Sequence, residues 1–296
     1  MQTWVKEFLR YGMANKGYST NTAAAYRNDL AQFMAYLANE NISSWHDVAQ
    51  DHVLEYVRQL KEQGYAPSTV ARKLATVKSF FHFWADDGVL ANDPTIAVDF
   101  PSVTKQPPRP LGVDEVTRLL LEPAKYRTPK ALRDRALLEL MYATGMRASE
   151  VIGLEMGAID LQAKEVRCLG KRNQERILPL QEHVCELLTV YLEHGRPRLI
   201  RRRGEKALFV NRLGSSLSRQ GLWLIVKGYA ADAGIGRTVT PHTLRQSFAA
   251  HLLDGGARLR RVQRLLGHTT ITSTQIYAEV SAQSKQEADD ETRARI

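Results

Sequence analysis

Cysteine is nearly absent from this sequence: Cys168 and Cys185 are the only two in 296 residues. They have no CxxC spacing, which excludes a disulfide framework and a four-cysteine zinc site and fits a reducing cytosol. Long apolar runs are missing as well. The N-terminal "MQTWVKEFLRYGMANKG" has no apolar signal-peptide core, and no stretch approaches the roughly 20 residues that span a bilayer. A soluble, cytoplasmic protein with no membrane partner is expected. There is no GxxxxGK[ST] loop, so an ATP-driven P-loop motor is excluded, and no HExxH. Asp and Glu are scattered rather than clustered near any candidate site, which speaks against a metal-dependent nuclease. Neither a cofactor nor a metal is expected, and there is no internal repeat or low-complexity tract.

What the sequence does have is length and positive charge. At 296 residues it is long for one core and comfortable for two domains. Its formal charge is +9, and the excess is uneven. Residues 1–100 hold 9 basic and 11 acidic side chains, leaving 32 basic and 21 acidic beyond them. A basic surface confined to the C-terminal two-thirds points to a polyanion, because clustered Lys and Arg that displace phosphate counterions supply most nonspecific nucleic-acid affinity.

The first hundred residues read as a small helical bundle. "STNTAAAYRNDLAQFMAYLANEN" opens on capping candidates and carries Tyr26, Leu30, Phe33, Met34 and Leu37 on one stripe. "DHVLEYVRQLKEQG" repeats the pattern, as does "APSTVARKLATVKSFFHFWADDG", with Val70, Leu74, Val77 and Phe81 inward and Arg72, Lys73 and Lys78 on the surface. The aromatics Phe80, Phe81, Phe83 and Trp84 read as core rather than as a base-stacking platform. Pro101, Pro107, Pro108 and Pro110 then forbid a helix, so the expected organisation is a helical domain 1–100, a linker 101–110 and a second domain 111–296. The second domain reads as mainly α with a small antiparallel β-sheet. Helices fall at "GVDEVTRLLLEP", "TPKALRDRALLELMYATG", "QEHVCELLTVYLEHG", "SRQGLWLIVKGYAADAG", "TPHTLRQSFAAHLLDGG" and "RLRRVQRLLG", and "IDLQAKEVRCLGKRNQERILPL" reads as a hairpin turning at "GKRN".

Several polar residues stand out, though each has an ordinary structural reading when taken alone. In "TPHTLRQSF", Thr240 is an N-cap and Pro241 the first helical residue, which puts His242 and Arg245 in the opening turn, where free N–H groups and the positive dipole end suit an anion. Leu244, Phe248 and Leu252 form another, core-facing side. Arg147 follows Gly145 at a helix end and could simply pair with Glu150. Lys171 sits in the turn "GKRN", where a lysine is usually solvated, yet a hairpin tip can also swing a proton donor into a site. His268 follows Gly267 as a capping histidine would, and Tyr277 could be a half-buried aromatic.

Their ordered combination is more informative. GxRxSE, a Lys-bearing hairpin, HxLR, LLGH and a tyrosine nine positions beyond that histidine, downstream of a helical bundle and a proline linker, resemble the tyrosine recombinase (phage integrase-like) family. "TGMRASE", "PHTLRQSFAAHLL" and "VQRLLGHTTITSTQIY" are most similar to Xer site-specific recombinases. The resemblance spans nearly the whole chain and implies a SAM-like core-binding domain followed by a catalytic domain. It departs from the family at Gln246, where histidine is common.

The resemblance also implies a chemistry. A free tyrosine phenol has a pKa of about 10 and is a poor nucleophile at neutral pH unless cations and a proton acceptor surround it. Tyr277 would attack a DNA phosphodiester, giving a 3′-phosphotyrosyl link and a free 5′-hydroxyl without ATP or metal. Arg147 and Arg245 would bind the nonbridging oxygens, Lys171 would protonate the leaving oxygen, His242 would serve proton transfer with the nucleophile, and His268 would hydrogen-bond the phosphate. The polar run "TTITST" would be a tether rather than a rigid helix, letting Tyr277 reach or withdraw. Implied partners are double-stranded DNA with inverted half-sites and further recombinase protomers, the same chain or a paralogue, as a tetramer on two sites, with room for a directing protein. A tail after Tyr277 would dock on a neighbour, with Val280 and Ile296 as its few apolar anchors. Resolution of chromosome or plasmid dimers is the expected role. The alternatives are a mobile-element integrase, disfavoured because no arm-binding domain precedes "STNTAAAYRNDL", and a noncatalytic DNA-binding protein on the same fold.

Overall fold

The computed structural model describes residues 1–102, 108–170, 174–202 and 204–279. The chain divides into two compact units, Met1–Lys105 and Gln106–Ile296.

Among its described residues the first unit holds the α-helices α1 (Gln2–Asn15), α2 (Thr20–Asn39), α3 (Gln50–Glu62) and α4 (Pro67–Asp86), with one 3-10 turn at Trp45–Asp47. The Ser19 hydroxyl accepts from the Thr22 N–H to start α2, and Pro67 opens α4 where no intrahelical donor is needed. Leu30, Phe33, Leu37, Val70, Leu74, Val77, Phe80 and Phe81 are all fully buried. Each large apolar side chain removed from water contributes about 1.5–3 kcal/mol. Phe80, Phe81 and Trp84 of the aromatic stripe are core, and Phe83 is half-buried against it; Trp45 and Phe80 approach to 4.5 Å between ring centroids, and Phe33 and Tyr56 to 4.9 Å. Lys73 departs from the expected surface position. It is buried because the buried Asp29 carboxylate on α2 accepts from its ammonium at 3.2 Å, with Thr76 and Arg72 completing the carboxylate's partners. A buried charge persists when it is paired in this way.

In the second unit, α5 (Val113–Leu121), α6 (Pro129–Thr144) and α7 (Ala148–Ile152) precede a three-stranded antiparallel sheet. Its strands are β1 (Ile159–Asp160), β2 (Glu165–Leu169) and β3 (Glu175–Pro179), in sequence order. Then come α8 (Glu182–Val190), a π-turn over Tyr191–Gly195, α9 (Arg196–Leu199), α10 (Arg219–Asp232), α11 (Pro241–Asp254) and α12 (Leu259–Leu266). The stretch 181–195, read as one helix, thus changes to π geometry at Tyr191. Helix α6 buries residues around most of its circumference, from Ala131 and Ala136 to Leu140 and Met141, and so lies inside the unit rather than on its surface. Val166 and Cys168 of β2 and Leu178 of β3 face the same core, alternating with outward residues. Both cysteines are free and buried.

The polar run after His268 is not a flexible tether over its whole length. Residues 272–279 are helical, and we label them α13. The Thr270 and Ser273 hydroxyls hydrogen-bond at 2.9 Å, and the Thr274 N–H donates to Ile271 O at 2.8 Å. Hydroxyl residues at a helix entry act as caps, and the only fully buried one, Thr274, packs inward. Among the described residues, no helix is long and apolar enough to cross a membrane. Lys171, part of the 101–110 linker and the tail with Val280 and Ile296 lie outside the described residues.

Candidate active site

Two helix ends and two helix starts meet in the second unit. Helix α6 stops at Gly145 with φ 61°, and α12 stops at Gly267 with φ 63°. Both are left-handed positions that favour glycine. Two residues after the first stop, Arg147 caps α7. One residue after the second comes His268. Helix α11 starts as expected, with the Thr240 hydroxyl accepting from Thr243 N–H and Pro241 in the first turn.

Arg245, one turn into α11, is buried and its guanidinium ties these corners together. Nη1 donates to Gly145 O at 2.6 Å, and Nη2 donates to Leu266 O at 2.7 Å and to His268 Nε2 at 3.0 Å. Because arginine only donates, Nε2 must be the acceptor and the neutral ring carries its proton on Nδ1. That N–H then donates to Thr274 Oγ1, 2.9 Å away. The tautomer of His268 is therefore set from both sides. In this arrangement His268 orients Arg245, and donation from Nε2 to a phosphate would require that contact to open.

Tyr277 lies one helical turn beyond Thr274 and is buried among Phe248, Ala249, Val262 and Leu266. Its ring and that of His268 are stacked, 6.3 Å between centroids and 22° between planes. Burial raises the phenol above its ordinary pKa, while Arg245 and Arg147 pull the other way. The hydroxyl is thus protonated in this setting and needs a base, or movement toward its cations, to become a nucleophile.

The second half of the site centres on a carboxylate. Glu150 is buried and accepts from Arg147 N–H and Arg147 Nη1, each at 2.7 Å. Arg176 of β3 grips the same carboxylate bidentately, Nη1 to Oε1 at 2.9 Å and Nη2 to Oε2 at 2.8 Å. Burial alone would raise the Glu150 carboxyl, but hydrogen bonds from Arg176 and the Arg147 backbone outweigh it and hold its pKa at about 2. Arg147 Nη2 also donates to Gly267 O at 2.9 Å. Arg147 thus pairs with Glu150, as its bland reading held, and also faces the His268 corner.

The cations depress one another's proton affinity. Burial and then Arg147 bring Arg245 down to about 10, so it remains charged at neutral pH. Burial and then Arg245, Arg147 and Arg176 bring His268 down to about 4. His242, exposed at its outer edge on the first turn of α11, is also lowered, by the protein packed on its inner side and then by Arg245.

Four of the six sequence candidates, Arg147, Arg245, His268 and Tyr277, are therefore brought together, and His242 lies on the same helix end as Arg245. Lys171 lies outside the described residues. Sequence reasoning did not single out Arg176 or Thr274, and took Glu150 only as a pairing partner for Arg147. A cleft of about 600 Å³ opens beside this cluster, lined by Arg147, Gln174, Arg176, Arg264, His268 and Ser273 among others. Arg147 and Arg264 on this concave surface suit a phosphate diester, while the charge of Arg176 is offset by Glu150. Among the described residues, no three His, Cys, Asp or Glu side chains come together as a metal site.

The chain is similar to known proteins over nearly its whole length. Residues 110–284 match the phage integrase family, and residues 5–88 match the phage integrase N-terminal SAM-like domain. The chain is 45% identical over 286 residues to a tyrosine recombinase XerC of Roseiflexus castenholzii, covering 96% of this chain and 91% of that one. It is 43% identical over 281 residues to a tyrosine recombinase XerD of Staphylococcus epidermidis, covering 95% of each. Among solved structures, a XerH site-specific recombinase bound to palindromic difH substrate, a post-cleavage complex, shares the fold with a TM-score of 0.75 at 20% identity. That match covers 97% of this chain and 94% of the other.

Proposed function

We propose, from the premise that the chain belongs to the phage integrase family and is a Xer-like tyrosine recombinase, that it cuts and rejoins DNA through Tyr277 to resolve chromosome or plasmid dimers. The observation that carries the catalytic reading is the meeting of Tyr277 with Arg245, Arg147 and His268 around one corner.

In the proposed step the phenol oxygen of Tyr277 attacks a phosphodiester in line. The O–P bond to tyrosine forms, the P–O5′ bond breaks, the DNA 3′ end stays on the enzyme and a 5′-hydroxyl leaves. Arg147 and Arg245 take the nonbridging oxygens, where charge builds on the pentacoordinate phosphorus and a planar guanidinium fits best. His242 accepts the phenolic proton, Lys171 supplies one to the leaving oxygen, and His268 steadies Arg245 through Nε2 and turns to the phosphate only once that contact opens. The phosphodiester energy is retained in the phosphotyrosyl bond, so a 5′-hydroxyl from another strand can reverse the step. Tyr277 must leave its apolar bed to react, which makes the withdrawn position a natural resting state for protomers that wait while others cut. The acting assembly would be a tetramer of this chain, alone or with a paralogous recombinase, on two duplex sites with inverted half-sites.

The test uses an inverted-repeat duplex, selected from a random library by its gel shift with the native chain and nicked in its spacer to trap the intermediate. Tyr277→Phe should bind this duplex as the native chain does and form no covalent adduct. An adduct on that variant would move the nucleophile elsewhere.

A further inference from the structure

We propose that Arg176 is a positioning residue of the reaction, holding the Glu150 carboxylate so that Arg147 stays available to the scissile phosphate. The inference rests on the reading of Arg147 as a phosphate ligand.

Glu150 has its side chain 4% exposed and faces two guanidiniums, with Arg147 at 27% and Arg176 at 15%. If Arg147 were its only partner, the pair would be neutral, and Arg147 could turn to a phosphate only by leaving a buried carboxylate uncompensated. That exchange is costly, because an orphaned buried charge loses both its hydration and its counterion. With Arg176 in a bidentate grip on both oxygens, the Glu150–Arg176 pair is neutral by itself. Arg147 then keeps a whole positive charge to offer, and Glu150 holds it only by its N–H and one Nη1 contact.

The geometry around Arg176 fits this role and demands an arginine. Its third nitrogen, Nε, donates to Leu265 O at 3.0 Å, so one planar group links strand β3, the start of α7 and the end of α12. A lysine has one point charge and could not serve the carboxylate and the carbonyl in the same plane. The backbone is kept bare beside this guanidinium at Gly267, where a Cβ would lie 3.0 Å from Arg176 Nη1. Gly267 is also the residue whose carbonyl accepts from Arg147 Nη2, so the strut and the phosphate ligand meet at one corner.

The experiment compares Arg176→Gln, Arg176→Lys and the double variant Arg176→Gln/Glu150→Gln in the full chain. It uses the nicked inverted-repeat duplex described above, with DNA affinity, melting temperature and single-turnover adduct formation measured on each. Arg176→Gln should slow adduct formation roughly 10- to 100-fold while affinity changes by less than about threefold, since charge-assisted bonds of this kind are worth one to two decades. Arg176→Lys should recover only part of the rate. The double variant should cleave faster than Arg176→Gln, because removing the orphaned carboxylate frees Arg147. Cleavage by Arg176→Gln at the native rate would overturn the inference, as would a double variant that is no faster than the single one, the result for a mere structural brace. Tyr277→Phe, run in parallel, separates the two levels. If the native adduct depends on Tyr277 while Arg176→Gln cleaves normally, only this inference falls. If the adduct survives Tyr277→Phe, the site reading falls and this inference with it.

Discussion

Replacing Gly145 with alanine perturbs the backbone corner on which both halves of the site are hung. Gly145 has φ 61°, and a Cβ there would sit 2.2 Å from Cδ1 of Phe248, where carbon atoms normally stay about 3.5–4.0 Å apart. The left-handed conformation costs a non-glycine residue roughly 1–2 kcal/mol, and forcing a packed ring aside costs about 1–3 kcal/mol more. Phe248 belongs to the apolar bed of Tyr277, and Gly145 O is the acceptor for Arg245 Nη1, so the displacement reaches nucleophile and phosphate ligand together. A total of about 2–5 kcal/mol in a unit of this size corresponds to a fall of roughly 5–15 °C in melting temperature. Gly234→Ala in the same unit is the control, since Gly234 has φ 68° and nothing within 4 Å of its would-be Cβ. Thermal unfolding followed by calorimetry should show Gly145→Ala falling well below Gly234→Ala, with adduct formation lost in the former alone. Equal melting temperatures for the two variants would refute the reasoning.

Stability should fall with acid in a defined window. The folded pKa of His268 is about 4 against an ordinary 6.5, so the unfolded chain binds the proton first. The His268 contribution is whole above about pH 6.5 and is lost as the pH falls toward 4, by no more than about 3 kcal/mol; His242 adds in the same direction. His268→Gln should flatten that slope in urea titrations, and an unchanged slope would contradict the assignment. Thr274→Val removes the acceptor of His268 Nδ1–H and should destabilise the second unit by about 1–3 kcal/mol. Imidazole nitrogen shifts should report the Nδ1–H tautomer in the native chain, and an Nε2–H tautomer would break the argument. Residues 108–296 should bind DNA far more tightly than residues 1–100 and with a steep salt dependence; equal affinity of the two fragments would overturn that division of labour.

The helices, the hairpin and the order of the candidate residues were legible because each depends on local patterning. Apolar periodicity marks α2 and α4, Thr240–Pro241 marks the start of α11, and Gly145 and Gly267 mark two stops. What escaped depends on contacts between distant residues. Lys73 reads as a surface lysine until Asp29, on another helix, supplies its charge partner. Arg176 looks like an ordinary strand residue, and its value comes from Glu150, which is 26 positions away. The run "TTITST" looks too polar for a helix, yet the hydroxyls at 270 and 273 bond each other at the entry of one and Thr274 turns inward to His268. The burial of Tyr277 follows from Phe248, Val262 and Leu266 converging from two helices, which no local window contains.

The central claim is that Tyr277 becomes covalently joined to DNA without a metal. Native chain should be incubated in EDTA with the nicked inverted-repeat duplex, the adduct digested with trypsin and nuclease, and the modified peptide sequenced by mass spectrometry. A nucleotide phosphate on Tyr277, linked to the DNA 3′ end, is expected at undiminished yield. A phosphate on any other residue, or an adduct that disappears on chelation and returns with added magnesium or zinc, would contradict it.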